Sequence, residues 1–129
     1  MSGERDLASL LAGARPVLVH PAVVLVSVAD PAGLPALATV VEDEGVTVVL
    51  RREDAERLGL PFDWTGAWIT LRVHSALESV GLTAAFSVGL ADAGISCNVL
   101  AGLHHDHILV PADRVKEALA ILASLAPAA

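Results

Sequence analysis

The second half of the chain shows two different spacings of apolar residues. Between residues 67 and 74 apolar and polar residues alternate, which predicts a strand with Ile69, Leu71 and Val73 on one face. Further along, apolar residues recur every three or four positions, as on one face of a helix; they are Leu82, Phe86, Leu90 and Ala93. Gly94 follows at the position where a helix end favours a left-handed residue.

Two more strands and a second helix are predicted after it. The strands cover residues 95–101 and 106–110, and the helix covers residues 112–125. The second half therefore has the predicted order β-α-β-β-α. No predicted helix covers the other face of its first strand, which carries Trp68, Thr70, Arg72 and His74.

The first half is predicted to contain mainly strands. A helix begins near Leu7 and is stopped by Pro16. β-Branched strands then cover residues 17–19 and 23–28, on either side of a break at His20 and Pro21. The segment 30–35 has turn composition and leaves no room for a helix after the first strand.

A hairpin and a short charged helix complete this half. The hairpin strands cover residues 36–41 and 46–50, and Gly45 is free to adopt a positive φ in the turn. The helix covers residues 51–58 and is ended by a glycine. The boundary between the halves is predicted at residues 62–66, which divides the chain into units 1–65 and 66–129.

Composition excludes several classes of protein. With 54% hydrophobic residues among 129, the chain has a substantial core, and its one cysteine, Cys97, rules out an internal disulfide. The net charge is −7, aromatic residues make up 3%, and there is no basic stripe, so we do not expect nucleic acid as a partner. We find no membrane span and no basic-flanked leader, and expect a cytoplasmic protein.

The most informative motif joins the strand at residues 67–74 to the helix. It reads Glu78-Ser79-Val80-Gly81-Leu82-Thr83-Ala84, followed by Leu90-Ala91-Asp92-Ala93-Gly94-Ile95. This resembles the ACT domain, a small amino-acid-binding module whose pattern is acidic-x-Pro-Gly-Leu-x-Ala and then Leu-Ala-x-x-Gly-Ile. Two positions depart from it: Val80 stands where the family usually has Pro, and Glu78 where it often has Asp.

The resemblance implies a fold and a relationship between the halves. An ACT module is β-α-β-β-α-β, so the second half lacks its last strand, and we expect residues 7–19 to supply it. The expected class is therefore α+β, ferredoxin-like, with two interleaved ACT-type modules of which the first is degenerate. Residues 95–98 and 105–111 are similar to the ACT subgroup that contains cytosolic arginine sensors and small tandem-ACT bacterial proteins.

The resemblance also implies a ligand site. Gly81 and Leu82 open the helix, where unpaired N–H groups suit a carboxylate, although Gly81 alternatively only makes a tight turn. Asp106 matches the arginine-sensor position that meets a basic group, although a solvated aspartate at a strand start is the alternative. The remaining expected ligand-binding residues are Ser75, Val80, Ser96, Asn98, Leu103, His104 and His105.

Other chemistry has less support in the sequence. His104, His105 and His107 beside Asp106 suggest a metal, but neighbouring strand residues point to opposite faces, and we expect no metal or other cofactor. Cys97 lies between apolar residues, which favours an inert buried thiol over a nucleophile. We expect no enzyme, because the sequence contains no nucleophile–base constellation.

The sequence therefore predicts a non-enzymatic regulatory sensor that binds an amino acid at an ACT interface. The alternative is a structural or protein-interaction module that kept the fold without a ligand. We expect the halves to pair within the chain, and a homodimer or an unknown protein partner remains open.

Overall fold

One six-stranded sheet runs through both halves, and all of its pairings are antiparallel. The computed structural model describes residues 15–72 and 81–125. The strand order is β2-β3-β1-β4-β6-β5. The strands are β1 (Pro16–Val28), β2 (Ala38–Glu42), β3 (Gly45–Arg51), β4 (Thr65–Leu71), β5 (Asn98–Ala101) and β6 (Asp106–Pro111). The helices are α1 (Arg52–Leu58), α2 (Leu82–Asp92) and α3 (Val115–Ser124), and a short 3₁₀ turn, Ala112–Arg114, precedes α3.

Strand β1 belongs to both halves of the chain. Its N-terminal part, from Pro16 opposite Leu71 to His20 opposite Trp68, pairs with β4, and its C-terminal part pairs with β3. The predicted last strand of the second half is thus supplied from this segment, as far as the structure describes it. The predicted break at residues 20 and 21 is an irregularity within one strand, with register shifts on both sides of His20. A bulge tolerates proline because it interrupts the ladder of hydrogen bonds.

The predicted strand at residues 95–101 is too long, because its first residues cap α2. Gly94 adopts φ 72° and donates its N–H to the carbonyl of Ala91, and Ile95 donates to the carbonyl of Leu90. These two bonds form a Schellman motif, and Ile95 is buried in the same core as Leu90. The strand therefore begins only at Asn98.

Other boundaries shift by a few residues. The helix predicted at residues 51–58 begins at Arg52. Strand β2 begins two residues and ends one residue later than predicted, and β3 is one residue longer at each end. β4 ends at Leu71, and positions 73 and 74 of the predicted strand lie outside the described residues, as does the predicted helix near Leu7. None of the described helices is long and apolar enough to cross a membrane.

One face of the sheet is covered by helices. α2 and α3 pack on β4 and β6, and the buried cluster beneath them includes Ile69, Leu71, Leu82, Phe86, Leu90, Ile108 and Leu122. A second cluster lies under α1, where Ala55 packs on Val24, Val26, Val48 and Leu50. Each buried aliphatic side chain of this size contributes roughly 1.5–3 kcal/mol to folding. The helix stripe that the spacing predicts is confirmed, since Leu82, Phe86 and Leu90 are all buried.

The opposite, open face carries a smaller apolar cluster that crosses the boundary between the halves. Val23 and Val49 from the first half pack there with Trp68 and Leu109 from the second. The indole ring of Trp64 packs over Gly66, so a Cβ atom on residue 66 would lie 2.5 Å from it. The two tryptophans therefore pack the halves together.

Candidate functional site

The candidate site lies at one end of the sheet, which we call the hairpin end. Here β4 stops at Leu71, whose register partner is Asp106, the first residue of β6. Asp106 in turn pairs with Ala101, the last residue of β5, so residues 102–105 form the turn of the β5–β6 hairpin. The hairpin end thus comprises residues 71–72 and 101–106.

Helix α2 directs its N-terminus toward this end. The Arg114 guanidinium, at the opposite end of the sheet, donates to the carbonyl of Ala93 at 3.0 Å and so fixes the C-terminus of α2 there. The helix has eleven residues and is about 16 Å long, so its first turn lies back toward the hairpin end. Leu82, in that first turn, belongs to the same buried cluster as Leu71.

The first turn of α2 begins at a glycine, which offers no capping side chain. Gly81 is its N-cap, with φ 102°, and makes no side-chain capping bond, and the first turn contains no acidic residue. Helix N-termini of this kind favour an anion, because N–H groups and the helix dipole both point outward. The positive φ also explains why glycine occupies this position.

Asp106 is the acid of the hairpin end. It lies on the same side of β6 as the buried Ile108, and its side chain is half-buried. Burial raises the pKa of its carboxyl group, while the neighbouring His107 and His105 oppose that rise. No described residue forms an ion pair or a hydrogen bond with the Asp106 carboxylate. A half-buried carboxylate without a cation lowers the stability of the fold. Its presence therefore favours a role in binding.

The hairpin turn presents a second polar group without a partner. The Nδ1 atom of His105 is buried, and no described residue forms a hydrogen bond with it. The turn itself is closed, because Gly102 donates its N–H to the carbonyl of His105 at 3.0 Å. Leu103, at the tip, is 69% exposed, so the turn offers an apolar side chain to anything that lies over it.

Arg72 brings positive charge to the same end. It directly follows Leu71, its N–H donates to the carbonyl of Arg15, and its guanidinium helps to lower the pKa of His107. Arg72 was predicted to lie on a strand face and was not among the expected site residues. The pairing of Leu71 with Asp106 brings it to the hairpin end, and no sequence signal reveals that pairing.

Comparison with known proteins identifies the family. A family model described as ACT domain matches residues 2–65, and a second model with the same description matches residues 65–124. The chain belongs to the ACT domain family. No curated protein matches this ACT chain.

Solved structures agree with this assignment. A Vibrio cholerae protein of unknown function, described as a possible transport protein, is 42% identical, with coverage of 94% of this chain and 96% of that chain and a TM-score of 0.85. An Agrobacterium tumefaciens protein is 17% identical over 88% and 89% of the two chains, with a TM-score of 0.67.

A more distant likeness is the ligand-free regulatory subunit of Thermus thermophilus aspartate kinase, at 12% identity, 88% and 96% coverage and a TM-score of 0.56. At these lower identities the last two structures show the fold alone. The predicted α+β, ferredoxin-like arrangement of interleaved ACT modules is confirmed.

Not all expected ligand-binding residues of this ACT protein lie together. Gly81, Leu82 and the turn residues Leu103, His104, His105 and Asp106 share the hairpin end. Ser96 and Asn98 precede and open β5 at its other end, so Asn98 lies three residues, about 10 Å, from Ala101. Ser75 and Val80 lie outside the described residues.

The remaining chemistry of the ACT fold is modest. Within residues 15–72 and 81–125, no group of three potential ligands stands close enough to hold a metal ion. Cys97 packs half-buried against the helix-side core, and burial raises the pKa of its thiol despite a hydrogen bond with Ser87. A protonated, half-buried thiol is a weak nucleophile.

Proposed function

We propose that this ACT protein is a non-enzymatic regulatory sensor that binds a free amino acid at the hairpin end. ACT modules are regulatory rather than catalytic, and they generally bind small molecules, often amino acids. The hairpin end offers separate partners for the two charges that every amino acid carries.

The carboxylate of the ligand is assigned to the N-terminus of α2. Gly81 offers no side chain to cap the first N–H groups of α2, and Arg72 adds a guanidinium at the same end of the sheet. Charge-assisted hydrogen bonds of this type are roughly twice as strong as neutral ones. The anion would therefore satisfy groups that the described part of the chain leaves without a side-chain partner.

The ammonium, or a basic side chain, is assigned to Asp106. Its carboxylate has no described cation, and burial already disfavours its ionised form. A ligand cation would remove that penalty, so binding and ionisation of Asp106 would reinforce each other. His105 and Leu103 of the turn would then complete the site, with a hydrogen bond to Nδ1 and an apolar cover.

One combination of groups carries this proposal: a half-buried carboxylate, a buried imidazole nitrogen and a helix N-terminus lie at the hairpin end, and the described residues give none of them a side-chain partner. Buried polar groups are normally satisfied, so the buried nitrogen beside the other two groups favours a ligand over a purely structural role. The ligand would act by linkage, stabilising the conformation in which hairpin turn and α2 both contact it.

A thermal-shift screen of the twenty amino acids, each at millimolar concentration, tests the proposal. At a ligand concentration of 100 times Kd, binding stabilises the folded state by about 2.7 kcal/mol. We expect at least one amino acid to raise Tm by several degrees. If no amino acid shifts the transition, the proposal is wrong.

A second function has a specific observation in its favour. Leu25 and Val40 lie on the open face of the sheet, and each is 40% or more exposed. An interaction module without a ligand would use such apolar positions to contact another protein. The thermal-shift screen separates the two functions, because an interaction module without a ligand would show no shift with any amino acid.

A further inference from the structure

A second concave region lies at the junction of the two halves, away from the hairpin end. It is a pocket of about 220 Å³ lined by His20, Pro21 and Ala22 of β1 and by Arg51 and Glu53. The irregularity of β1 creates it. The register with β4 skips Val19, and it also skips Pro21 and Ala22, while β3 ends at Arg51, opposite Val23.

Two opposite charges lie side by side at this pocket. Arg51 donates from Nε to Asp54 at 3.1 Å, and its Nη1 lies 3.5 Å from Glu53. Arg57 holds Asp54 from the other side at 3.2 Å, so the buried Asp54 fixes the Arg51 side chain at its base. A guanidinium has more N–H donors than these contacts use, so its outer edge remains available.

The acid of this pair is exposed and only weakly paired. The Glu53 side chain is 76% exposed, and its 3.5 Å contact with Arg51 is too long for a strong hydrogen bond. A dianion such as phosphate would face both Glu53 and the carboxylate of Asp54 close behind Arg51. A molecule with one negative and one positive group fits this pair of charges better.

The other walls and the volume of the pocket further restrict which ligands can bind. Pro21 and Ala22 form an apolar wall, and His20 packs edge-on against Trp68 with 5.7 Å between ring centroids. At about 220 Å³, the pocket is smaller than the roughly 300–1,000 Å³ of sites for drug-sized ligands, so it suits a small molecule. Larger side chains would have to project into solvent.

We propose that the pocket at the β1 irregularity is a second binding site, for a small zwitterionic amino acid. The ligand carboxylate binds Arg51, its ammonium binds Glu53, and its side chain packs on Pro21 and Ala22. This site is independent of the hairpin end, and each site can exist without the other.

The test is calorimetric titration of the full chain with alanine, serine, valine and proline. Propionate and ethylamine, which each lack one of the two charges, serve as comparison ligands. We expect saturable binding of at least one amino acid, and at least about tenfold weaker binding of both comparison ligands. In the Trp64→Phe background, which leaves Trp68 as the only indole, the same titration should change the fluorescence, because the ligand contacts His20.

Variants assign the signal to this pocket. Arg51→Gln should weaken binding about tenfold, the low end for a charged hydrogen bond, because the side chain is half exposed. Arg52→Gln is the matched control, since the neighbouring arginine does not line the pocket and should leave binding unchanged. Ala22→Leu should fill the pocket and abolish binding even if Arg51→Gln destabilises the fold.

The hairpin end supplies the remaining control. Asp106→Asn should leave binding at this pocket unchanged. The inference is overturned if none of the four amino acids binds, or if Arg51→Gln and Ala22→Leu both leave affinity unchanged. It is also overturned if Asp106→Asn alone removes the binding, a result that would instead support the site at the hairpin end.

Discussion

Thr70 and His107 face each other across the β4–β6 pair, with 2.9 Å between Oγ1 of Thr70 and Nδ1 of His107. Trp68 donates its indole N–H to the same hydroxyl at 3.1 Å. Because the indole is only a donor, it occupies a lone pair of Thr70 and leaves the hydroxyl proton for His107. The arrangement favours a neutral His107 whose Nδ1 atom accepts the hydrogen bond from Thr70. His107 directly follows Asp106 in the sequence.

This relationship predicts a pH effect on stability. Burial lowers the pKa of His107, with smaller contributions from His105 and Arg72 that outweigh the opposing effect of Asp106. The unfolded chain therefore binds its proton at higher pH, near 6.5, than the folded chain does. His107 should make the protein less stable as pH falls below about 6.5, down to its folded-state pKa.

The measurement is urea unfolding between neutral and mildly acidic pH, with the His107→Gln variant as comparison. The variant should lose less stability than wild type over this interval. NMR titration of the His107 ring should give a pKa below about 6.5. A pKa above that value would contradict the assigned hydrogen-bond direction.

Gly102 tests how tightly the hairpin turn is built. A Cβ atom there would lie 2.8 Å from the carbonyl oxygen of His105 and 3.1 Å from Nε2 of His107. Gly102→Ala should therefore destabilise the fold by about 1–3 kcal/mol, the usual cost of overpacking. Leu103→Ala, at the exposed tip of the same turn, is the control and should change Tm little. Equal Tm values for both variants and wild type would show that the turn adjusts freely.

Much of the fold was predictable because its signals are local. The helical spacing of Leu82, Phe86 and Leu90 specifies the buried face of α2, and the structure confirms it. The alternation around Ile69 correctly predicts a strand, although β4 is buried on both faces because Trp68 packs on the open one. The start of β5 was predicted wrongly because Ile95 has strand composition but uses its N–H to cap α2. The competing bond depends on the conformation of Gly94, which composition alone does not reveal.

The site was predicted less completely, for a physical reason. The resemblance to the ACT family suggested Gly81 and Asp106, but the sequence gave no means of telling which end of the sheet each residue occupies. Pairing of Leu71 with Asp106 brings Arg72 to the hairpin end, whereas β5 carries Asn98 away from it. The pocket at His20 was not predicted, because it arises from a register shift within a single strand.

Cys97 should behave as a packing residue. Burial raises the pKa of its thiol, so the thiolate is scarce at neutral pH. We expect slow alkylation by iodoacetamide in the native protein and rapid alkylation in urea. Cys97→Ala should leave amino-acid affinity within about tenfold, or roughly 1.4 kcal/mol, of wild type. Rapid native alkylation, or a larger loss of affinity, would show a functional thiol.

Asp106 should destabilise the protein in the absence of ligand. Because burial raises the pKa of its carboxyl group, folding is penalised once pH rises above about 3.9, and the full penalty applies above the folded-state pKa. Asp106→Asn should therefore unfold at the same temperature as wild type or higher at neutral pH, in the absence of ligand. A lower Tm would indicate that Asp106 is a structural residue.

Calorimetric titration of Asp106→Asn with the amino acid found in the thermal screen tests the central claim most directly. The exposed Asp113, at the far end of β6, provides the control variant Asp113→Asn. Losing one partner of a partly desolvated charge pair costs about 2 kcal/mol or more, so we predict at least about thirtyfold weaker binding to Asp106→Asn. The control should bind like wild type. Equal affinities of wild type and Asp106→Asn would contradict the account and remove Asp106 from the site.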